Sequence, residues 1–124
     1  KCKKGERCDL SEIKEKVALI AKALSEKKGF EIIIMDLTGL TLVADYFIIA
    51  SGRTSTQVQA LAHNVLEKMA EKGDKELRIE GKNEARWVLI DYGDVVVHIF
   101  QEEDRHFYNL EKLWGDAKQT LYEE

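Results

Sequence analysis

Two apolar runs, residues 87–92 and 95–100, are separated only by Gly93-Asp94, and this pair constrains the chain more than any other feature. Two β-rich runs joined by two such residues read as an antiparallel hairpin on a tight type II′ turn. Counting back from the turn sets the register. Tyr92 opposes Val95, Ile90 opposes Val97 and Val88 opposes Ile99 on one face. On the other face Asp91 opposes Val96, Leu89 opposes His98 and Trp87 opposes Phe100. The first set is suited to a core under helices. The second is an aromatic face with one imidazole, and two readings of it stand. Left open, it is an interaction surface, because exposed Trp/Phe patches mark such sites. Covered by the C-terminal segment, it is ordinary core.

The rest of the chain supplies the layers. Leu10, Ile13, Val17, Ile20 and Leu24 recur at steps of three and four and predict a helix over residues 9–28. Asp9 with Glu12 forms its expected capping box, and Gly29 its stop. Residues 31–36 carry three consecutive isoleucines and read as a buried strand; residues 46–50 read as a second, ending at Ser51-Gly52. Residues 38–44 mix apolar and turn residues and fit neither class. Thr54 with Gln57 opens a second helix, whose apolar face is Val58, Leu61, Val65, Leu66 and Met69 and which closes at Lys72-Gly73. Residues 77–80 are expected as a short strand and 81–84 as a loop. Residues 102–124 are expected as helix, broken near Asn109 or Gly115. With 124 residues, no proline and no repeat, the chain is expected to form a single α/β domain, a mixed β-sheet packed with helices.

Charge narrows the partners. The formal net charge is −4, but Lys1, Lys3, Lys4 and Arg7 against Glu6 give residues 1–8 a balance of +3, which leaves −7 on residues 9–124. A nucleic-acid surface is usually basic, so a direct grip on RNA or DNA is not expected, and a basic protein partner is. Residues 1–8 read as a flexible basic leader without the apolar core of a secretory signal or the composition of a transit segment, which points to the cytoplasm. Cys2 and Cys8 both lie in it; a reducing compartment makes them plain thiols, with a local disulfide or half of a metal site as the alternative. No stretch approaches the roughly 20 apolar residues of a membrane span.

Catalytic signatures are weak. Gly-x-Ser-x-Gly is absent, and Ser51-Gly-Arg-Thr54 lacks the lysine of a phosphate loop. His63, His98 and His106 have no cysteine or carboxylate at a metal-like spacing, so no metal or cofactor is expected. Asp36, Asp45 and Asp91 near strand ends would suit Mg²⁺ in a nucleotide-handling enzyme, the alternative reading. None forms an Asp-x-Asp pair, and capping of turns is the plainer role. Arg105, Tyr108 and Glu111 lie three residues apart, along one stripe of a helix.

Several motifs carry a family resemblance in their order: Asp36-Leu-Thr-Gly-Leu-Thr41, Ala44-Asp-Tyr-Phe-Ile-Ile-Ala-Ser-Gly52 and Gln57-Val-Gln-Ala60. Glu80-Gly81, Trp87-Val-Leu-Ile-Asp91, Gly93-Asp-Val-Val-Val-His-Ile-Phe100, Arg105-x-x-Tyr108 and Leu110-Glu-Lys-Leu-Trp114 follow. Over residues 9–118 the chain closely resembles the ribosomal silencing factor family, the Iojap-related proteins. The resemblance makes residues 9–124 the silencing-factor domain and implies a nucleotidyltransferase-like topology without enzymatic activity. It implies binding to the large ribosomal subunit through ribosomal protein fourteen, at the face where the small subunit joins. Blocking that joining would repress translation during nutrient shortage. The superfamily's Gly-Ser followed by an Asp-x-Asp pair is missing here; Ser51-Gly52 reverses the dipeptide. Trp87 and its strand match the family's docking strand. Leu89, His98, Phe100, Arg105, Tyr108, Glu111 and Trp114 sit in matching motifs and complete the expected partner-binding set, some of them supporting the fold. Self-association through the same face, giving a homodimer, is a further expectation.

Overall fold

The computed structural model describes residues 10–42 and 44–122. Cys2, Cys8 and the Asp9 cap lie outside them. The elements run α1 (Leu10–Glu26), β1 (Phe30–Asp36), β2 (Tyr46–Gly52), α2 (Ser55–Glu71), β3 (Arg78–Glu80), β4 (Trp87–Asp91), β5 (Val95–Gln101), α3 (Glu102–Tyr108), α4 (Leu110–Leu113) and β6 (Lys118–Leu121). Six strands form one mixed sheet in the order β3-β4-β5-β2-β1-β6. Among the described residues, only β2 and β5 run parallel. A parallel pair needs a long crossover, and here α2 with β3 and β4 supplies it.

The hairpin has the register that its two-residue turn demands, with Trp87 opposite Phe100, Leu89 opposite His98 and Ile90 opposite Val97. Tyr92 N–H donates to the Val95 carbonyl at 2.9 Å, and Gly93 takes φ +88°, the left-handed value a type II′ turn requires in its first central place. Val88, Ile90, Val95, Val97 and Ile99 are fully buried under α1 and α2, against Ile20, Leu24, Leu61, Val65 and Met69. That is the first core. The helices earn this place through their single apolar faces, and Asn64 ties them together, its amide donating to the Ala23 carbonyl at 2.7 Å inside the interface.

The start of α2 and the end of α1 differ in detail from their expected caps. Thr54 Oγ1 accepts from Gln57 N–H at 3.1 Å, but the Gln57 side chain reaches back to Arg53 N–H at 2.7 Å, one residue beyond the usual capping-box partner. At the end of α1 it is Lys28, not Gly29, that takes the left-handed φ of 69°. Gly29 is there for space: a Cβ would lie 2.9 Å from the Leu24 carbonyl oxygen and 3.0 Å from Leu61 Cδ2.

The opposite face of the sheet is covered over β1, β2 and β5, while Trp87 and Leu89 of β4 stay only partly buried at its edge, so the hairpin's second face is part core and part surface. Met35, Leu37, Phe47, Ile49, Val96, Phe100, Leu110 and Ala117 form a second core beneath α3, α4 and the returning chain. The helix expected over 102–124 ends early. Asn109 breaks it with φ 47° and ψ 60°, as anticipated, and caps α4 by accepting from Lys112 N–H at 3.4 Å. Beyond α4 the chain is a strand, not helix: Lys118–Leu121 pairs antiparallel with β1, Ile33 opposite Leu121 and Asp36 opposite Lys118. An open edge of β1 offers a full row of backbone partners, which outweighs the modest helix propensity of that polar stretch. Residues 38–42 form an exposed turn segment, with Leu37 and Ala44 buried on either side. Among the described residues, no helix is long and apolar enough to cross a membrane.

Candidate functional site

The site is built at the edge of the second core, where β4, β5 and α3 meet. The cross-strand pairing sets Trp87 beside Phe100, their rings stacked with centroids 5.0 Å apart. Tyr108, the last residue of α3, brings its ring to 4.6 Å from that of Trp87. Trp87 Nε1 donates to His98 Nδ1 at 3.1 Å, one strand away on the same face. Phe47 meets His98 edge-on at 4.6 Å and Trp114 edge-on at 5.8 Å, so one aromatic chain runs from β4 across β5 and β2 to the end of α4.

Ion pairs hold α3 in place. The Arg86 guanidinium grips the Asp104 carboxylate with both Nε and Nη2, at 3.2 and 3.0 Å. Arg105 points inward from the next position and is 2% exposed. Its Nε donates to Glu111 Oε2 at 3.2 Å, and its Nη1 donates to Ser51 Oγ at 2.8 Å and to the Glu31 carbonyl. One buried guanidinium thus joins β1, β2, α3 and α4. The Glu31 carbonyl is available because β1 is irregular there: its register shifts between Phe30 and Ile33, and Glu31 has φ 49°.

The expected partner-binding residues therefore separate by position. Tyr108 is exposed, while Trp87, Leu89, Glu111 and Trp114 are partly buried. His98, Phe100 and Arg105 are in the interior, where they shape the surface from beneath. Beside Trp87 and Tyr108 lies a groove of about 560 Å³, lined also by Gly81, Glu84, Arg86, Glu103 and Asp104. Three carboxylates to one guanidinium give it an acidic rim. Sequence reasoning missed Arg86, Asp104 and the groove. Each flanks a residue that was singled out, but their pairing joins a loop to a helix across the hairpin and leaves no periodic trace.

Burial pushes the His98 imidazole down from its ordinary value to about 4. Two of the three candidate carboxylates make turn contacts. Asp36 Oδ1 accepts from Thr38 N–H at 3.0 Å, and Asp91 Oδ1 accepts from Gly93 N–H at 2.8 Å, both turn contacts. His63 pairs with Glu67 one helical turn on, at 3.0 Å. Among the described residues, no three His, Cys, Asp or Glu side chains gather where they could hold a metal ion.

Comparison with known proteins agrees with this architecture. The family model described as "Ribosomal silencing factor during starvation" matches residues 10–124. The ribosomal silencing factor of Bacillus subtilis is 48% identical over 99 residues, covering 80% of this chain and 84% of that protein. That of Halalkalibacterium halodurans is 47% identical over 103 residues, covering 83% and 88%. A crystal structure of a protein from Chromobacterium violaceum superposes with a TM-score of 0.82 at 38% identity, over 90% of this chain and 93% of that one.

Proposed function

This chain belongs to the ribosomal silencing factor family, and from that premise we propose that it represses translation by occupancy, without chemistry. It docks on the large ribosomal subunit in the cytoplasm, through ribosomal protein fourteen, and its bulk excludes the small subunit during nutrient shortage. The observation that carries this reading is the Trp87–Tyr108 aromatic ridge beside an acid-rimmed groove, on a body of net charge −7 over residues 9–124. A partly exposed tryptophan in an aromatic setting is a favoured binding anchor. The acidic surroundings suit a basic ribosomal protein. In this reading Trp87, Leu89 and Tyr108 touch the partner, Glu111 and Trp114 border the contact, and His98, Phe100 and Arg105 hold the surface from below.

The non-enzymatic part of the reading is supported by the carboxylates. Of Asp36, Asp45 and Asp91, the carboxylates near strand ends that would suit Mg²⁺, Asp36 and Asp91 each accept a backbone N–H within a turn, which fits the capping role. A second copy of the chain is proposed to compete for the same ridge, so that dimer and subunit binding exclude one another; light scattering with and without large subunits tests this. The reading as a whole is tested by co-sedimentation with purified large subunits. Saturable binding supports it, and no binding at micromolar concentration sinks it.

A further inference from the structure

We propose that His98 is a positioning residue: its Nδ1 orients the Trp87 indole for docking, and the fold keeps an unmatched imidazole N–H in its interior to do so. This rests on the docking reading above and names what sets its anchor.

An indole nitrogen only donates, so the 3.1 Å contact makes His98 Nδ1 the acceptor and leaves the proton of the neutral ring on Nε2. Nε2 is buried and, among the described residues, has no hydrogen-bond partner. A buried donor without an acceptor is destabilising, so packing alone would favour an apolar ring at this position. The surroundings offer nothing else for the imidazole to do. Phe47 meets it edge-on from β2, Phe100 lies along β5, and Trp87 approaches from β4. From α3, Tyr108 packs against Trp87; from α4, Glu111 bonds Arg105 through Oε2 and keeps Oε1 buried without a partner among the described residues; burial is what lowers the histidine's pKa. What remains is the bond to the indole. Without it the ring plane is held by stacking on Phe100 and a tilted contact with Tyr108, and the indole edge shown to a partner is free to change.

The test uses the full chain with His98→Phe, His98→Gln and Trp87→Ala, purified large subunits as the probe, and thermal melting of each variant. His98→Phe is expected to melt at or above the wild type yet bind about tenfold more weakly, the loss of roughly one hydrogen bond. His98→Gln restores an acceptor and most of the binding. Wild-type binding by His98→Phe beside impaired Trp87→Ala overturns the inference, as does a loss of stability in His98→Phe that parallels its loss of binding. Wild-type binding by Trp87→Ala overturns the docking surface and the inference together. Should His98→Phe not fold, the Trp87 indole N–H resonance of the wild type decides: it is expected to shift as His98 protonates, and an unchanged resonance overturns the proposal.

Discussion

Trp87 of β4 and Tyr108 of α3 meet with ring centroids 4.6 Å apart, so the ridge belongs to neither element alone. The strand supplies the tryptophan and the helix supplies its neighbour. The Arg86–Asp104 pair, at 3.0 and 3.2 Å, fixes the distance between them. A surface assembled this way depends on the covering of the second core as much as on the hairpin.

Removing the anchor tests the surface directly. Trp87→Ala is expected to weaken binding to large subunits by more than about 2 kcal/mol, as hot-spot residues do. Circular dichroism should show an unchanged fold, because Trp87 is only partly buried and Phe100 closes the core beneath it. Unchanged affinity in a folded variant would remove Trp87 from the contact.

The buried guanidinium makes a stability prediction. Arg105→Ala strips Glu111 of its partner and Ser51 and the Glu31 carbonyl of a donor. Breaking a buried pair from one side costs about 3–5 kcal/mol, and the partial exposure of Glu111 places the expectation at the lower end. Urea denaturation should show the midpoint fall, and the double variant Arg105→Met/Glu111→Leu should recover much of it. A single variant as stable as the wild type would show that the hub is ornamental.

The same histidine that faces Trp87 sets an acid limit. Its pKa is about 4 in the fold against 6.5 when exposed, so below pH 6.5 the unfolded chain binds a proton that the folded chain refuses. Stability therefore declines as pH falls from about 6.5 to about 4, by roughly 3 kcal/mol in full. Chemical denaturation across that window should show the slope in the wild type, and His98→Gln should lack this component. Equal slopes in the two chains would contradict it.

Gly81 lies close against the backbone of β4. Its φ is +79°, and a Cβ there would lie 2.1 Å from the Trp87 carbonyl oxygen. Gly81→Ala is expected to destabilise by more than about 2 kcal/mol, since left-handed strain and a backbone clash act together. Gly39 provides the control: its φ is +85° but nothing lies within 4 Å of an added Cβ, so Gly39→Ala should cost only about 1 kcal/mol. Similar melting temperatures for the two variants would contradict the clash.

What could be seen in the sequence follows from how local each constraint is. The hairpin register was legible because Gly93-Asp94 leaves one way to count, and a slip would turn Trp87 and Phe100 into the other core. The helices were legible from single apolar faces. β6 was not, because Lys118–Leu121 is exposed along its length and carries no alternation; only the open edge of β1 defines it. The inward turn of Arg105 was equally hidden. Its spacing from Tyr108 and Glu111 suggests one helical stripe, whereas α3 ends at Asn109 and Glu111 meets the buried Arg105 from α4, with Tyr108 left exposed. Resemblance named the residues of the site, and only packing separates the ones that face outward from the ones that support them.

The central claim, occupancy of the large subunit, is tested most directly by an order-of-addition measurement of subunit joining. Large subunits preincubated with the wild-type chain should form fewer joined ribosomes when small subunits are added, in proportion to bound chain, with Trp87→Ala shifted to higher concentration. Full joining with the chain still bound to the large subunit would contradict the account.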